Sequence, residues 1–234
     1  MNKINNKIKS EYFIFRDFKK SNNFKIFFHK GWNNLFIFRV DFLKKTKEKN
    51  FFVKNKIFNN NRYEKALILT KGNAILNNRN YKKNLKKFDC LHIMKSLESF
   101  NFEFKKGTQL FIIIRKKNSS ISKKINYFNF EKNLKKINIW GGKIISRIFN
   151  GYDMTIVLFK LKKGFKFHDK GHRNEQITWL IKGKMKFYYN NNHKSLEANK
   201  TSVDIGPHDS HGGVSMGAIG FDVFSPKRSE KRYS

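Results

Sequence analysis

The chain has 234 residues, of which 51 are Lys or Arg and 17 are Asp or Glu, so its formal charge at pH 7 is +34. This length allows one large domain or two of about 100 residues each. The lysines are dispersed among Phe and Asn, and Ala and Pro are scarce, which is the composition that an AT-rich coding sequence imposes. Because neither a basic arm nor a recognition motif accompanies the charge, we do not expect a specific nucleic-acid function.

Cysteine usage and hydropathy indicate the compartment. Cys90 is the only cysteine, which excludes an intrachain disulfide and a thiolate zinc cluster. The sequence has neither the apolar run of a signal peptide nor a run of about eighteen apolar residues that could span a membrane. We therefore expect a soluble, cytoplasmic protein with no membrane partner.

Short apolar runs bounded by Asn, Gly and Lys indicate β-strands along the chain. Residues 154–161 (MTIVLFKL) and 185–189 (MKFYY) show the alternation and the β-branched and aromatic content that are typical of strands. Long helical periodicity is absent. The pattern therefore predicts an all-β protein.

An internal repeat predicts two copies of one small domain. Residues 63–72 (YEKALILTKG) precede residues 174–183 (NEQITWLIKG) by 111 positions, and Glu, Leu, Lys and Gly match at equivalent places. At that spacing, or within a residue of it, the apolar run 110–114 lies opposite residues 221–224. A repeat of this length is too long for a solenoid unit. It predicts two tandem β-barrels in which the equivalent strands pair alike.

The expected domain boundaries follow from the repeat and from composition. The first barrel is expected over residues 1–118, a linker rich in Lys, Ser and Asn over residues 119–139, and the second barrel over residues 140–234.

Histidine distribution separates the two copies. Five of the seven histidines lie in the last third of the chain. Where the second copy has Gln176 and His211, the first has Lys65 and Phe100. We therefore predict that the first barrel has lost its metal ligands.

Two segments of the second copy carry the candidate metal ligands. They are residues 167–177 (FHDKGHRNEQI), which lead into a strand ending at Gly183, and residues 207–213 (PHDSHGG). Neutral imidazoles and one amide or carboxylate oxygen can hold a divalent first-row metal and leave positions open for substrate. Any one of these histidines alone is explained as well by a loop position, but their joint arrangement favours a site.

These segments resemble the two sequence motifs of the cupin superfamily. Residues 172–177 (HRNEQI) are similar to the C-terminal half of the bicupin isomerase of bacilysin biosynthesis, and residues 222–228 (DVFSPKR) are similar to the last strand of cupins that open unsaturated uronate rings in pectin breakdown. The resemblance covers roughly residues 150–228. It implies two tandem jelly-roll barrels of the cupin type, of which the first is degenerate.

The resemblance also implies a set of metal ligands, namely His168, His172, Gln176 and His211. The first of them is the least regular, because members usually have His-x-His and an ungapped alignment places Lys170 at that position. We assign His168, since a bulge can return its imidazole to the site whereas a protonated Lys has only donors. Glu175 is expected to point away from the face that carries Gln176, because side chains alternate along a strand.

The function implied by the resemblance is a metal-dependent isomerase or tautomerase acting on a small oxo acid, with Fe, Mn, Co, Ni or Zn as the divalent ion. Candidates for proton transfer or carboxylate binding are His208, Arg173 and Arg228, and an exposed loop position explains each of them equally well. Two alternatives stay open, a non-catalytic cupin that binds a small acid or sugar and an iron-dependent dioxygenase. The expected partner is a small-molecule substrate, and a homodimer is one option for the assembly.

Overall fold

The computed structural model describes residues 11–14, 16–32, 35–48, 60–78, 81–94, 100–116, 125–189 and 192–228. Every regular element within these ranges is a β-strand, and none of the residues described forms a helix long and apolar enough to cross a membrane. The strands are β1 (Glu11–Ile14), β2 (Arg16–Lys20), β3 (Phe24–Lys30), β4 (Leu35–Phe42), β5 (Thr46–Glu48), β6 (Tyr63–Lys71), β7 (Ala74–Asn78), β8 (Tyr81–Leu85), β9 (Asp89–Ile93), β10 (Asn101–Phe104), β11 (Gln109–Lys116), β12 (Ile125–Asn129), β13 (Ile137–Ile139), β14 (Ile144–Asn150), β15 (Thr155–Leu161), β16 (Lys166–Asp169), β17 (Glu175–Tyr189), β18 (Asn192–Glu197), β19 (Thr201–Ile205) and β20 (His211–Ser225).

The chain divides into two compact units. The first barrel comprises the described residues between positions 15 and 136 together with Arg147–Asp153. The second barrel comprises Glu11–Ile14, Ile137–Ser146 and the described residues from Met154 onward.

These limits differ from those expected from the sequence in two places. Strand β1, near the start of the chain, pairs antiparallel with β19 of the second barrel. Strand β12 falls within the expected linker but pairs antiparallel with β9 of the first barrel. A strand of four or five residues completes whichever sheet edge is open to it, and the identity of that edge depends on distant parts of the chain.

Antiparallel sheets form both barrels. In the second barrel the strand order is β1-β19-β17-β20-β15-β14-β13, with β16 also paired to β20 and β18 also paired to β17. In the first barrel a seven-stranded sheet has the order β12-β9-β6-β11-β4-β3-β2, and a four-stranded sheet has the order β5-β10-β7-β8. The prediction of an all-β protein made of two jelly-roll barrels is confirmed.

The strand pairing of the two barrels follows the sequence repeat. In the first barrel β6 pairs with β11, so that Leu69 lies opposite Leu110. In the second, β17 pairs with β20, so that Leu180 lies opposite Gly220. Adding the repeat spacing of 111 to the first pair gives the second to within one residue. The predicted equivalence of these pairs is thus confirmed, as expected for duplicated barrels.

The interiors of the two barrels differ. The first is filled by a large apolar cluster to which six buried phenylalanines contribute, namely Phe24, Phe38, Phe42, Phe100, Phe102 and Phe104. The rings of Phe42 and Phe104 stack with centroids 3.9 Å apart. The core of the second is a smaller cluster around Phe159, Leu180 and Phe187. Polar side chains share the interior of the second barrel with this core, and they form the candidate site.

Gly72 and Gly183 occupy equivalent positions of the repeat, where Gly72 follows β6 and Gly183 lies at an irregularity within β17, and glycine is required at both. Their φ angles are 77° and 80°, in the region that side chains rarely adopt. A Cβ on Gly183 would overlap the carbonyl oxygen of Gly217, and one on Gly72 would lie 2.7 Å from the Cα of Thr108. The matched glycine of the repeat therefore allows two backbone segments to approach closely.

Replacement of Gly183 by Ala should strongly destabilise the protein. The substitution adds a backbone clash to the cost of a positive φ, and we expect a loss of more than about 2 kcal/mol in the free energy of unfolding. Gly164→Ala is the matched control, since φ is 78° there but no atom lies within 4 Å of the added Cβ. It should cost only about 1 kcal/mol. Equal losses in urea denaturation would show that the close approach at Gly183 does not matter.

Candidate metal centre

The pairing of β16 with β20 determines which side chains face the interior of the second barrel. Asp169 lies directly opposite His211, and His168 lies opposite Gly212. Directly opposed residues point to the same face of a sheet, and successive residues point to opposite faces. Asp169 and His211 therefore point inward together. His168, the expected first ligand, points outward, is exposed, and stacks on Tyr188 with ring centroids 6.1 Å apart.

His172 is positioned by the loop between β16 and β17. Gly171 has a φ of 105°, and a Cβ there would lie 2.7 Å from the carbonyl carbon of His208. The backbone N–H of His208 donates a hydrogen bond of 2.6 Å to the carbonyl oxygen of His172. This contact holds the two motif segments together. The His172 ring is buried and packs edge-on against the His211 ring at 5.4 Å.

Asp169, His172 and His211 form a compact cluster of possible ligands. One ligand atom from each lies within 4.8 Å of the others, and Oε1 of Gln176 lies 2.8 Å from Nε2 of His172. Atoms bound about 2.1 Å from one ion lie roughly 3 Å apart at right angles and about 4 Å apart when opposite. The limit of 4.8 Å is slightly wider than this spacing, so small side-chain rotations bring the three groups within reach of one divalent cation, and Gln176 is close enough to contribute a further oxygen.

The protonation state of the His172 and His211 imidazoles is also suited to binding a cation. Nδ1 of His211 donates to the carbonyl oxygen of Asp209 at 3.0 Å when it carries the proton, which leaves Nε2 with its lone pair. Burial, and then the nearby Arg228 guanidinium, lowers the pKa of His172 to about 4. Burial also lowers the pKa of His211. Both rings are thus neutral at pH 7, as a ligand must be.

One nitrogen of the cluster has no partner among the residues that the structure describes. Nδ1 of His172 is buried and makes no hydrogen bond there. A buried polar atom without a partner is costly, and a bound ion or water is one explanation for it.

A cavity of about 140 Å³ lies beside the cluster within the second barrel. Its polar lining is formed by Ser146, Asp169, Gln176, Thr178, His211, Asp222 and Arg228. The remaining lining is apolar and is formed by Ile139, Trp140, Ile144, Val157, Phe159, Leu161, Phe167, Met185, Phe187 and Phe224. The cavity can hold a small molecule of about the size of benzene.

Asp222 is a cavity residue that the sequence did not mark as functional. It lies opposite Thr178 in the β17–β20 pair. Its Oδ1 accepts hydrogen bonds from the hydroxyl of Thr178 at 2.6 Å and from the amide of Gln176 at 3.1 Å. Burial raises the pKa of Asp222 to about 6 in spite of these bonds. The sequence indicates a role for Asp222 only through its place in residues 222–228, which resemble the last strand of some cupins.

The three expected catalytic residues lie in different surroundings. Arg228 lines the cavity, and its guanidinium lies 4.4 Å from the centre of the Phe224 ring and 3.6 Å from Oδ2 of Asp169. Arg173 and His208 are exposed and do not line the cavity. His208 holds its backbone at a φ of 66° and contributes its N–H to the loop contact described above.

In the first barrel an ammonium group occupies the position equivalent to Gln176. The side chain of Lys65 is fully buried, and its Nζ donates to the carbonyl oxygens of Asn60 at 2.9 Å and Tyr63 at 3.1 Å. Phe100, equivalent to His211, lies in the apolar core. Among the described residues, one group of three or more His, Cys, Asp or Glu side chains lies close enough together to hold a metal ion, and it belongs to the second barrel.

Comparisons with known proteins identify the fold. A scan of protein-family models finds no match, and a search of curated proteins finds no significant match. AerE from Microcystis aeruginosa has a similar structure, with a TM-score of 0.72 and 13% identity over 92% of this chain and 98% of its own. This chain has the cupin fold, which it shares with its structural neighbours.

Two oxalate decarboxylases are similar as well. That of Lactobacillus farciminis, solved as a formate complex, has a TM-score of 0.67 and 9% identity over 100% of this chain and 91% of its own. That of Bacillus subtilis, which has Mn(II) centres, has a TM-score of 0.67 and 8% identity over 95% of this chain and 78% of its own. Metal-dependent enzymes are therefore among the structural neighbours of this chain.

Proposed function

We propose that the second barrel binds one divalent metal ion through Asp169, His172 and His211, with Gln176 as an additional ligand. The observation that carries this proposal is the compactness of the cluster, whose ligand atoms lie within 4.8 Å of one another beside a cavity. Asp169 replaces the expected His168 in this assignment. The Mn(II) centres of the Bacillus subtilis enzyme, which has a similar fold, support a metal in such a barrel.

We further propose that the chain is an isomerase or tautomerase of a small oxo acid. The bound ion would supply Lewis acidity, which stabilises negative charge on a carbonyl oxygen. The similarity of residues 172–177 to the bicupin isomerase type supports this reaction, and the formate complex of a fold relative supports a carboxylate ligand.

Arg228 is the residue that we assign to the substrate carboxylate. Its buried guanidinium lines the cavity, and a guanidinium binds a carboxylate with two parallel hydrogen bonds. Its position on the Phe224 ring holds the group in place. The substrate is thereby oriented with its carboxylate at Arg228 and its carbonyl toward the cluster.

Asp222 is the residue that we assign to proton transfer. It is a cavity carboxylate fixed by Thr178 and Gln176. As a base it would remove a proton from the carbon beside the carbonyl and then return that proton to another carbon of the same conjugated system. The substrate keeps its atoms and its oxidation state, so no further reactant is needed.

Exchange of the metal tests the reaction class. Because the ion stabilises charge and does not change its oxidation state, we expect turnover of small oxo acids with Mn, Co, Ni or Zn and without oxygen. An oxygen electrode and a spectrophotometric assay on the protein loaded with each metal would measure this. Oxygen uptake that is stoichiometric with product, and dependent on iron, would identify a dioxygenase instead. Ligand binding without turnover under any metal would identify a binding protein.

A further inference from the structure

One end of the first barrel carries a cluster of exposed lysines. Four short segments that connect successive strands meet at this end, namely residues 43–45, 71–73, 86–88 and 105–107. Their exposed lysines are Lys44, Lys45, Lys71, Lys86, Lys87, Lys105 and Lys106. We name these seven side chains the lysine rim.

Backbone pairing holds the four segments side by side. The N–H of Gly107 donates to the carbonyl oxygen of Phe42 at 2.8 Å, and a bond of 3.1 Å joins the segments 105–107 and 71–73. Strand β8 ends just before the segment 86–88, and it pairs with β7, which begins just after the segment 71–73. The fold thus gathers at one end of the barrel lysines that are dispersed in the sequence.

Few carboxylates oppose the charge of the lysine rim. The four segments themselves contain no Asp or Glu. Of the nearby carboxylates, Oε1 of Glu103 lies 2.8 Å from Nζ of Lys45. Asp41 is bound by the guanidinium of Arg39 at 3.1 Å and by the amide of Gln109 at 3.0 Å. Positive charge that is gathered on one surface in this way attracts a polyanion.

We infer that the lysine rim binds the phosphate backbone of duplex nucleic acid, independently of base sequence. A duplex carries one negative charge for about every 1.7 Å of its axis, and lysines that neutralise phosphates release condensed counterions. The four segments contain no Arg, the residue type whose planar fork reads guanine. Their one aromatic residue, Phe88, is buried, so the rim offers no ring on which the bases of a single strand could stack.

An anionic membrane fits the lysine rim less well than a duplex does. Leu43 is the one large apolar side chain that the four segments expose, and its exposed fraction is 37%. Stable attachment to a membrane requires an inserted apolar group or a lipid chain in addition to basic residues. A duplex requires charge alone for sequence-independent binding. The duplex is therefore the partner that we assign.

Binding of a fluorescein-labelled DNA duplex of mixed sequence tests this inference. We expect an affinity that falls steeply between about 50 and 200 mM salt, because each phosphate contact releases counterions. The combined Lys71→Gln, Lys105→Gln and Lys106→Gln variant should bind at least about tenfold more weakly at the lower salt concentration. The slope of log K against log salt should also become shallower by about 2 to 3. Fluorescence anisotropy measures both quantities.

The matched control removes three positive charges from the opposite end of the same barrel, where Lys30, Arg62 and Lys116 are exposed. Lys30 lies opposite Phe36 near the start of β4, and Lys116 lies opposite Tyr63 at the start of β6. The combined Lys30→Gln, Arg62→Gln and Lys116→Gln variant should bind the duplex within about threefold of the unmodified protein, because salt screens distant charges. Both variants should remain folded in thermal melts, since surface substitutions change stability little.

Three results would overturn the inference. Equal weakening by the two combined variants would show that the duplex senses only the net charge of the chain. Tighter binding to a single-stranded oligonucleotide of the same length, or to phosphatidylserine vesicles in cosedimentation, would assign the lysine rim to that partner instead. A strong preference among duplexes of shuffled sequence would contradict binding to the backbone alone. The lysine rim belongs to the first barrel and the proposed metal site to the second, so failure of either proposal leaves the other standing.

Discussion

His172→Ala and His211→Ala should each reduce metal affinity by at least about 100-fold, because each removes an imidazole from a small set of ligands. The unmodified chain should carry one ion, and the first barrel none, since Lys65 and Phe100 occupy the equivalent positions there. Elemental analysis after dialysis, with titration of Mn(II) into the metal-free proteins, measures both quantities. Because His172 and His211 are neutral at pH 7, no proton needs to be displaced from either ring at that pH.

Two neighbouring residues provide a sharper comparison. Asp169→Ala should weaken metal binding, whereas His168→Ala should not, although both lie in β16, because they point to opposite faces of the sheet. His193→Ala should also be neutral, since His193 is exposed in β18. Full occupancy after replacement of His172 or His211, or loss of the ion in His168→Ala, would contradict the assigned ligands.

Asp222→Asn should lower turnover by about 100-fold or more, which is the typical contribution of a positioned general base. Asn retains an oxygen that can accept the hydrogen bonds of Thr178 and Gln176, so the barrel and its metal content should be unchanged. The pKa of Asp222 is raised to about 6 by burial, and the base must be deprotonated to act. The rate therefore rises with pH as Asp222 loses its proton. In the metal-loaded protein this rise occurs at or below a pH of about 6, because the cation favours the carboxylate.

The pH profile distinguishes this role from a structural one. The acidic limb of kcat/KM should be absent in Asp222→Asn, whereas a residue that only supports the fold would leave the limb in place. Asp41→Asn is a matched control, because Asp41 is also a hydrogen-bonded carboxylate but belongs to the first barrel, where it accepts from Gln109. Turnover and an acidic limb in Asp222→Asn that equal those of the unmodified protein would exclude Asp222 as the base.

Much of the fold could be predicted because the repeat and the strand alternation are local signals. The matched glycines at 72 and 183 and the apolar runs that follow them define the equivalent strands. The domain limits could not be predicted in the same way. Strand β1 completes the edge of a sheet nearly 200 residues away in sequence, and a strand so short carries no signal of its partner.

Part of the candidate site could also be predicted from local signals in the sequence. His172, Gln176 and His211 were found because motif spacing places them on two converging segments, and the structure brings these three together. His168 is assigned in place of Lys170, because a bulge can return its imidazole to the site and a protonated Lys has only donors, and the sequence does not mark Asp169 between them. Which of two successive residues faces inward depends on the register of β16 against β20. A shift of one residue in this register would turn His168 inward and Asp169 outward. Asp222 could not be marked as a cavity residue from the sequence, because only the assembled barrel defines the cavity.

The location of the metal ion tests the central claim most directly. Crystals grown with Mn(II) and measured at the manganese absorption edge would show each bound ion as a peak of anomalous scattering. We predict one peak per chain, in the second barrel, with Asp169, His172 and His211 as ligands and Gln176 in contact. A peak ligated by His168, a peak in the first barrel, or no peak at the cluster would contradict this account.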